Sequence, residues 1–111
     1  MKFYCETCGN EVSLEEGTLS WVDDGNSLDC FRITHKNDQN HNCDPRYVAY
    51  IHLWIVTGLS GFVKFTELLA DHWEKGYTLK DVKGLKRAIN QIGTYIWEKS
   101  KGKVPSRGET G

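Results

Sequence analysis

Two thiols separated by two residues, in Cys5-Glu6-Thr7-Cys8-Gly9, open the chain, and His35, His41 and Cys43 follow at a distance. Thiolates at this spacing grip one metal ion from a single tight turn, and a downstream ligand pair closes a tetrahedral site of the kind zinc prefers. The pattern predicts a structural Zn2+ site. Four cysteines can also make two disulfides, but no basic-then-apolar leader is read at Met1-Lys2-Phe3-Tyr4, so a reducing, cytoplasmic compartment and metal-bound thiolates are expected.

The elements that must position these groups begin after the knuckle. Thr18 to Val22 alternates as a strand, Asp23-Asp24-Gly25-Asn26-Ser27 has turn chemistry, and Leu28 to His35 returns as a second strand. Strand parity sets Phe31, Ile33 and His35 on one face and Cys30, Arg32 and Thr34 on the other. Leu19 and Trp21 then match Phe31 and Ile33 across the hairpin if the register keeps both apolar sets together. The polar run from Lys36 to Asn42 forms a loop that brings His41 and Cys43 round.

Asp44-Pro45 reads as a helix start, with Asp as cap and Pro at the first helical position. From Tyr47 to Val56 the chain is apolar almost all round, which predicts a buried central helix. The competing membrane span is set aside, because the uncharged window between Arg46 and Lys64 falls just short of about 18 apolar residues and contains His52, Thr57, Gly58, Ser60 and Gly61. A second helix is expected from about Gly61 to Glu74, capped near Ser60 and stopped by Gly76. Thr78-Leu79-Lys80-Asp81 resembles a capping box with Asp in place of Glu. Val82, Leu85, Ile89, Ile92 and Ile96 then trace the apolar stripe of a last helix, which Gly102 ends before a polar tail.

At 111 residues, with 39% hydrophobic and 26% charged residues, the chain fits a small globular protein in which a metal staple matters. Up to Asp44 nine acidic residues face three basic ones, so the net charge of −1 conceals an acidic first part and a basic remainder. The expected fold class is α+β: a zinc-bound β-hairpin packed on about three α-helices. The expected units are a zinc-knuckle hairpin module at 1–44, a helical body at 45–102 and a tail at 103–111, together one compact domain.

Cys5-Glu6-Thr7-Cys8-Gly9-Asn10-Glu11-Val12 resembles the zinc knuckle of zinc-ribbon and treble-clef proteins, and the order knuckle, hairpin, helix is similar to the treble clef. The resemblance covers about the first 45 residues. It implies a metal and a local fold, with a second ligand pair at the hairpin's end and in the first turn of a helix, and it implies no activity. By that matching Cys5 and Cys8 carry over as ligands and Cys43 fits at the helix entrance. For the fourth ligand His35 ranks first, from its place at a strand end, then His41, then Cys30, which strand parity turns away.

A full set of nitrogen and sulfur ligands leaves no open position for substrate. The leading expectation is therefore a non-enzymatic protein-interaction or assembly module, with a protein partner or self-association and no membrane. The alternative is nucleic-acid binding through the basic last helix, where Lys80, Lys83 and Arg87 recur at one-turn spacings with Tyr77 nearby for stacking. A metal-dependent hydrolase or nuclease ranks below both. His41-Asn42 resembles a fragment of the HNH nucleases, but the rest of that framework is not recognisable. His52 and His72 are read as packing or capping groups, and no P-loop, dinucleotide fingerprint, His-Glu-x-x-His or nucleophile elbow is present.

Overall fold

A computed structural model describes residues 1–44 and 49–101. Its elements run β1 (Phe3–Tyr4), β2 (Glu11–Val12), β3 (Gly17–Asp23), β4 (Ser27–His35), β5 (Ala49–His52), α1 (Leu53–Val56), α2 (Leu59–Glu74), β6 (Thr78–Leu79) and α3 (Val82–Lys101). The protein is mixed α+β. β1 and β2 form a two-stranded ribbon, and a four-stranded sheet has the order β5-β3-β4-β6. That sheet takes strands from both sides of residue 44. Among the described residues no helix is long and apolar enough to cross a membrane.

The β3–β4 hairpin arises from local chemistry. Asp23 and Asp24 accept hydrogen bonds from the backbone N–H groups of Gly25, Asn26 and Ser27, which reverses the chain within the turn. The strands pair Gly17 with His35, Thr18 with Thr34 and Leu19 with Ile33, so Leu19 and Ile33 share the buried face. Between Ser20 and Val22 the register shifts, and Cys30 takes a positive φ of 54°. Two residues of β4 thus oppose one of β3, which keeps Leu28 and Phe31 on the same side despite their odd spacing. Trp21 stacks on Phe31 with ring centroids 5.9 Å apart and meets Phe65 of α2 at 5.6 Å.

Residues 49–56 depart from the expected buried helix: they form β5, paired antiparallel to β3, and then the single turn α1. A run that is apolar almost all round suits a covered strand as well as a covered helix. Here the backbone of β3 needed a second partner, and Ala49 to His52 supplied it. The helix start expected at Pro45, with Tyr47 and Val48, lies outside the described residues. So do Gly102 and the tail at 103–111, including Lys103 and Arg107.

The second helix ends as its glycine suggested. Gly76 has φ 89°, and the N–H groups of Gly76 and Tyr77 donate to the carbonyls of Trp73 and His72. This pair of bonds satisfies two of the carbonyls a helix leaves free at its end. Its start differs, because Gly58 and not Ser60 is the cap.

The capping box also differs. Thr78-Leu79 is strand β6, parallel to the start of β4, and Asp81 caps α3 directly by accepting from Gly84 N–H at 2.9 Å. The other carboxylate oxygen of Asp81 accepts from Phe31 N–H at 2.9 Å. One side chain therefore starts the helix and satisfies a donor at the bulge. Leu85, Ala88 and Ile92 of α3 join Leu19, Leu28, Phe31, Ile33, Leu53, Val56 and Phe65 in one buried cluster that also includes Phe3, Cys5, Val12 and Cys43.

Candidate metal centre

The knuckle between β1 and β2 is a tight turn built by its own backbone. Cys5 N–H donates to Asn10 C=O at 2.8 Å, and Gly9 N–H donates to Cys5 C=O at 2.9 Å. Gly9 has φ 81°, a conformation a side chain disfavours. The turn points the N–H groups of Thr7 and Cys8 at Cys5 Sγ, each 3.4 Å away. Such donors stabilise a thiolate and the metal bond it makes.

The register of the hairpin brings the other groups in. His35 is the last residue of β4, opposite Gly17, and is buried. Its Nδ1 lies 3.5 Å from Cys8 Sγ and 3.8 Å from Cys43 Sγ, while its Nε2 faces Glu11 C=O at 3.1 Å. With the proton on Nε2 and donated to that carbonyl, Nδ1 offers its lone pair toward the thiols. Cys43 is held by two outside contacts: Thr7 Oγ1 donates to its carbonyl at 2.7 Å, and the neighbouring Asp44 N–H donates to Asn37 Oδ1 at 3.0 Å.

The ligand atoms of Cys5, Cys8, His35 and Cys43 all lie within 4.8 Å of one another, so this group could hold a metal ion. A tetrahedron with metal–sulfur bonds of about 2.3 Å and a metal–nitrogen bond of about 2.0 Å sets its donors about 3.5 to 3.8 Å apart. The two distances from His35 fall in that range.

His41 and Cys30 are not in the group. His41 stacks on the His35 ring, centroids 4.1 Å apart and planes within 10°, with its Nδ1 3.4 Å from Asp38. Cys30 sits at the bulge of β4. Cys43 comes from an irregular segment, and the helix entrance that the treble-clef resemblance implies just after it falls at 45–48, outside the described residues. The Asp44 carboxylate is buried and accepts from Ser20 Oγ.

Electrostatics separate the buried thiols. Burial raises the Cys5 thiol, but hydrogen bonds from Cys8, His35 and Thr7 outweigh it and bring it down to about 6. Burial, followed by the hydrogen bonds and charges of Cys5 and Cys8, pushes Cys43 up to about 12. Without a cation, three thiolates cannot share this space; with one, their charge is the reason for it.

Glu6, between the two thiols, was not singled out by its sequence position. Its N–H donates to Ile33 C=O and its carboxylate accepts from Ile33 N–H, both at 2.9 Å, so the knuckle docks on β4 as a surrogate strand. The other carboxylate oxygen accepts from Arg87 Nη2 at 2.8 Å. Of the three basic residues considered for nucleic acid, Arg87 is thus paired with Glu6, Lys80 lies 3.9 Å from Asp24, and Lys83 has no ion pair among the described residues. Neither protein-family models, nor curated proteins, nor solved structures match this chain.

Proposed function

We propose that Cys5, Cys8, His35 and Cys43 hold one zinc ion whose role is structural, and that the chain is a non-enzymatic protein-interaction or assembly module. The observation that carries this reading is the convergence of three sulfurs and one imidazole nitrogen within 4.8 Å, drawn from the knuckle, the end of β4 and the segment after it. Three thiolates and an imidazole suit zinc better than the hard, oxygen-seeking cations. With four protein donors the coordination shell is complete, so no position is left for a substrate or an activated water. The zinc then acts as a clasp that ties the knuckle to the hairpin.

The interaction role draws on large apolar side chains left on the surface, including Tyr50, Trp54, Leu59, Trp73 and Trp97. The nucleic-acid reading draws less support, since Arg87 and Lys80 are turned toward Glu6 and Asp24. Metal analysis of the purified chain and of Cys43→Ser tests the proposal. One zinc per chain, lost in the variant together with the ordered N-terminal region, is the expected result. A variant that stays fully folded and loses only a hydrolytic activity overturns it.

A further inference from the structure

The two edges of the four-stranded sheet are treated differently by the chain. Along β4 the outward backbone groups are taken: Leu28 C=O by Lys80 N–H, Phe31 N–H by the Asp81 carboxylate, and Ile33 by both the backbone and the carboxylate of Glu6. Along β5 no further strand pairs among the described residues. The phase of the ladder shows which groups face out there. Phe31 and Ile33 turn their N–H groups away from β3, so Thr18 and Ser20 bond to β4, and Leu19 and Trp21 bond to Ile51 and Ala49. Tyr50, with both N–H and C=O, and His52, with its N–H, therefore point to the open edge.

Three tryptophans are strongly exposed, and their surroundings separate them. Trp73, 64% exposed, is followed by Glu74 and Lys75, and Trp97, 63% exposed, by Glu98 and Lys99. Trp54, 59% exposed, lies instead in a row with His52 and the 58% exposed Tyr50, their rings 5.4 and 6.3 Å apart in succession. No Asp, Glu, Lys or Arg occurs from 47 to 63. Natural sheets commonly guard an open edge with charge; β5 itself carries none.

We propose that a second copy of this chain docks on the β5 edge, antiparallel and strand to strand, continuing the sheet across a two-fold axis. In such a contact each patch meets itself, so a charged edge would set like charges together, and an uncharged one does not. The outward N–H and C=O of Tyr50 exchange hydrogen bonds with their counterparts, and the Tyr50 and Trp54 rings cover the joint. A four-residue edge spans only about 13 Å. Its contact stays below the roughly 1,200 Å² of a standard stable interface, so the dimer is reversible. The inference rests on the interaction-module reading and specifies its mode.

Sedimentation velocity on the zinc-loaded full chain, from about 10 μM to about 1 mM, tests it. The expected result is a concentration-dependent shift from monomer to dimer that Tyr50→Lys weakens by about tenfold or more and that Trp73→Ser and Trp97→Ser leave unchanged. Amide exchange on the unmodified protein adds a second measurement, with Tyr50 N–H gaining protection as concentration rises. A monomer at every concentration overturns the proposal, as does a dimer that survives Tyr50→Lys or leaves Tyr50 N–H exchanging freely. A monomer that still carries one zinc per chain removes the self-pairing alone and leaves the structural-zinc reading standing.

Discussion

The region around the knuckle and the region around α3 hold their shape by different means. β3, β4, α2 and α3 interlock through large apolar side chains, with Leu19, Trp21, Phe31, Ile33, Phe65, Leu85 and Ile92 all buried. The knuckle and the 36–44 segment bury far less: two-residue strands, Phe3, Val12, and two thiols that are apolar only when protonated. Apolar burial of this kind is worth about 25 cal/mol per Å², so the first region stabilises itself, whereas the second depends on its donors and what binds them. One small fold thus combines a packed body with a donor cluster that could hold a metal ion.

The largest effect separating the two regions is expected in the packed body. Phe31→Ala removes a ring that contacts Trp21 and should cost about 3 to 5 kcal/mol, read as a lower midpoint in denaturant unfolding that all probes share. If instead the knuckle alone loosens, the body does not have the role assigned to it.

Chelation should do the reverse, opening the knuckle while the sheet persists. How far the metal-free knuckle stays closed then varies with pH, with a sign that follows from the thiols of the closed form. Cys5, lowered to about 6, contributes stability that is present above the ordinary thiol range near 9 and is lost as pH falls toward 6. Cys43, raised to about 12, contributes stability present below 9 and lost as pH climbs toward 12. Thermal melts of chelated protein across this range check both directions, and a flat profile would remove the electrostatic part of the account.

Smaller effects belong to the joints between the regions. Asp81→Ala removes both a helix cap and the acceptor for Phe31 N–H, and should cost about 2 kcal/mol; Asp81→Asn should recover part of it, because an amide oxygen still accepts. The Glu6–Arg87 pair is partly exposed, so a double-mutant cycle should give a coupling of about 1 kcal/mol or less. A much larger coupling would mean that α3 itself holds the knuckle in place.

The sequence made these features legible to different degrees. The β3–β4 hairpin was visible because alternation, a polar turn and matched apolar pairs agree locally, and α3 because its stripe recurs at three and four residues. Residues 49–56 were not: with every position but His52 apolar, periodicity carries little information, and the choice fell to the unpaired edge of a strand some 30 positions earlier. The Thr78–Asp81 segment misled because Thr78 and Asp81 both suit helix caps, and only pairing with β4 removes Thr78 from that role.

At the candidate site, Cys5 and Cys8 could be grouped from spacing. That His35 and not His41 joins them depends on the register that sets it opposite Gly17. Glu6, Arg87 and the dual use of Asp81 left no local signal, because each contact spans 27 or more positions.

Hydrogen exchange on the zinc-loaded chain before and after chelation tests the central claim most directly. The account predicts one zinc per chain, and on its removal a loss of protection at Cys5, Glu6 and Gly9 while Leu19 and Ile51 in the sheet stay protected. A chain that binds no zinc, or one whose knuckle amides stay protected once the zinc is gone, would contradict it.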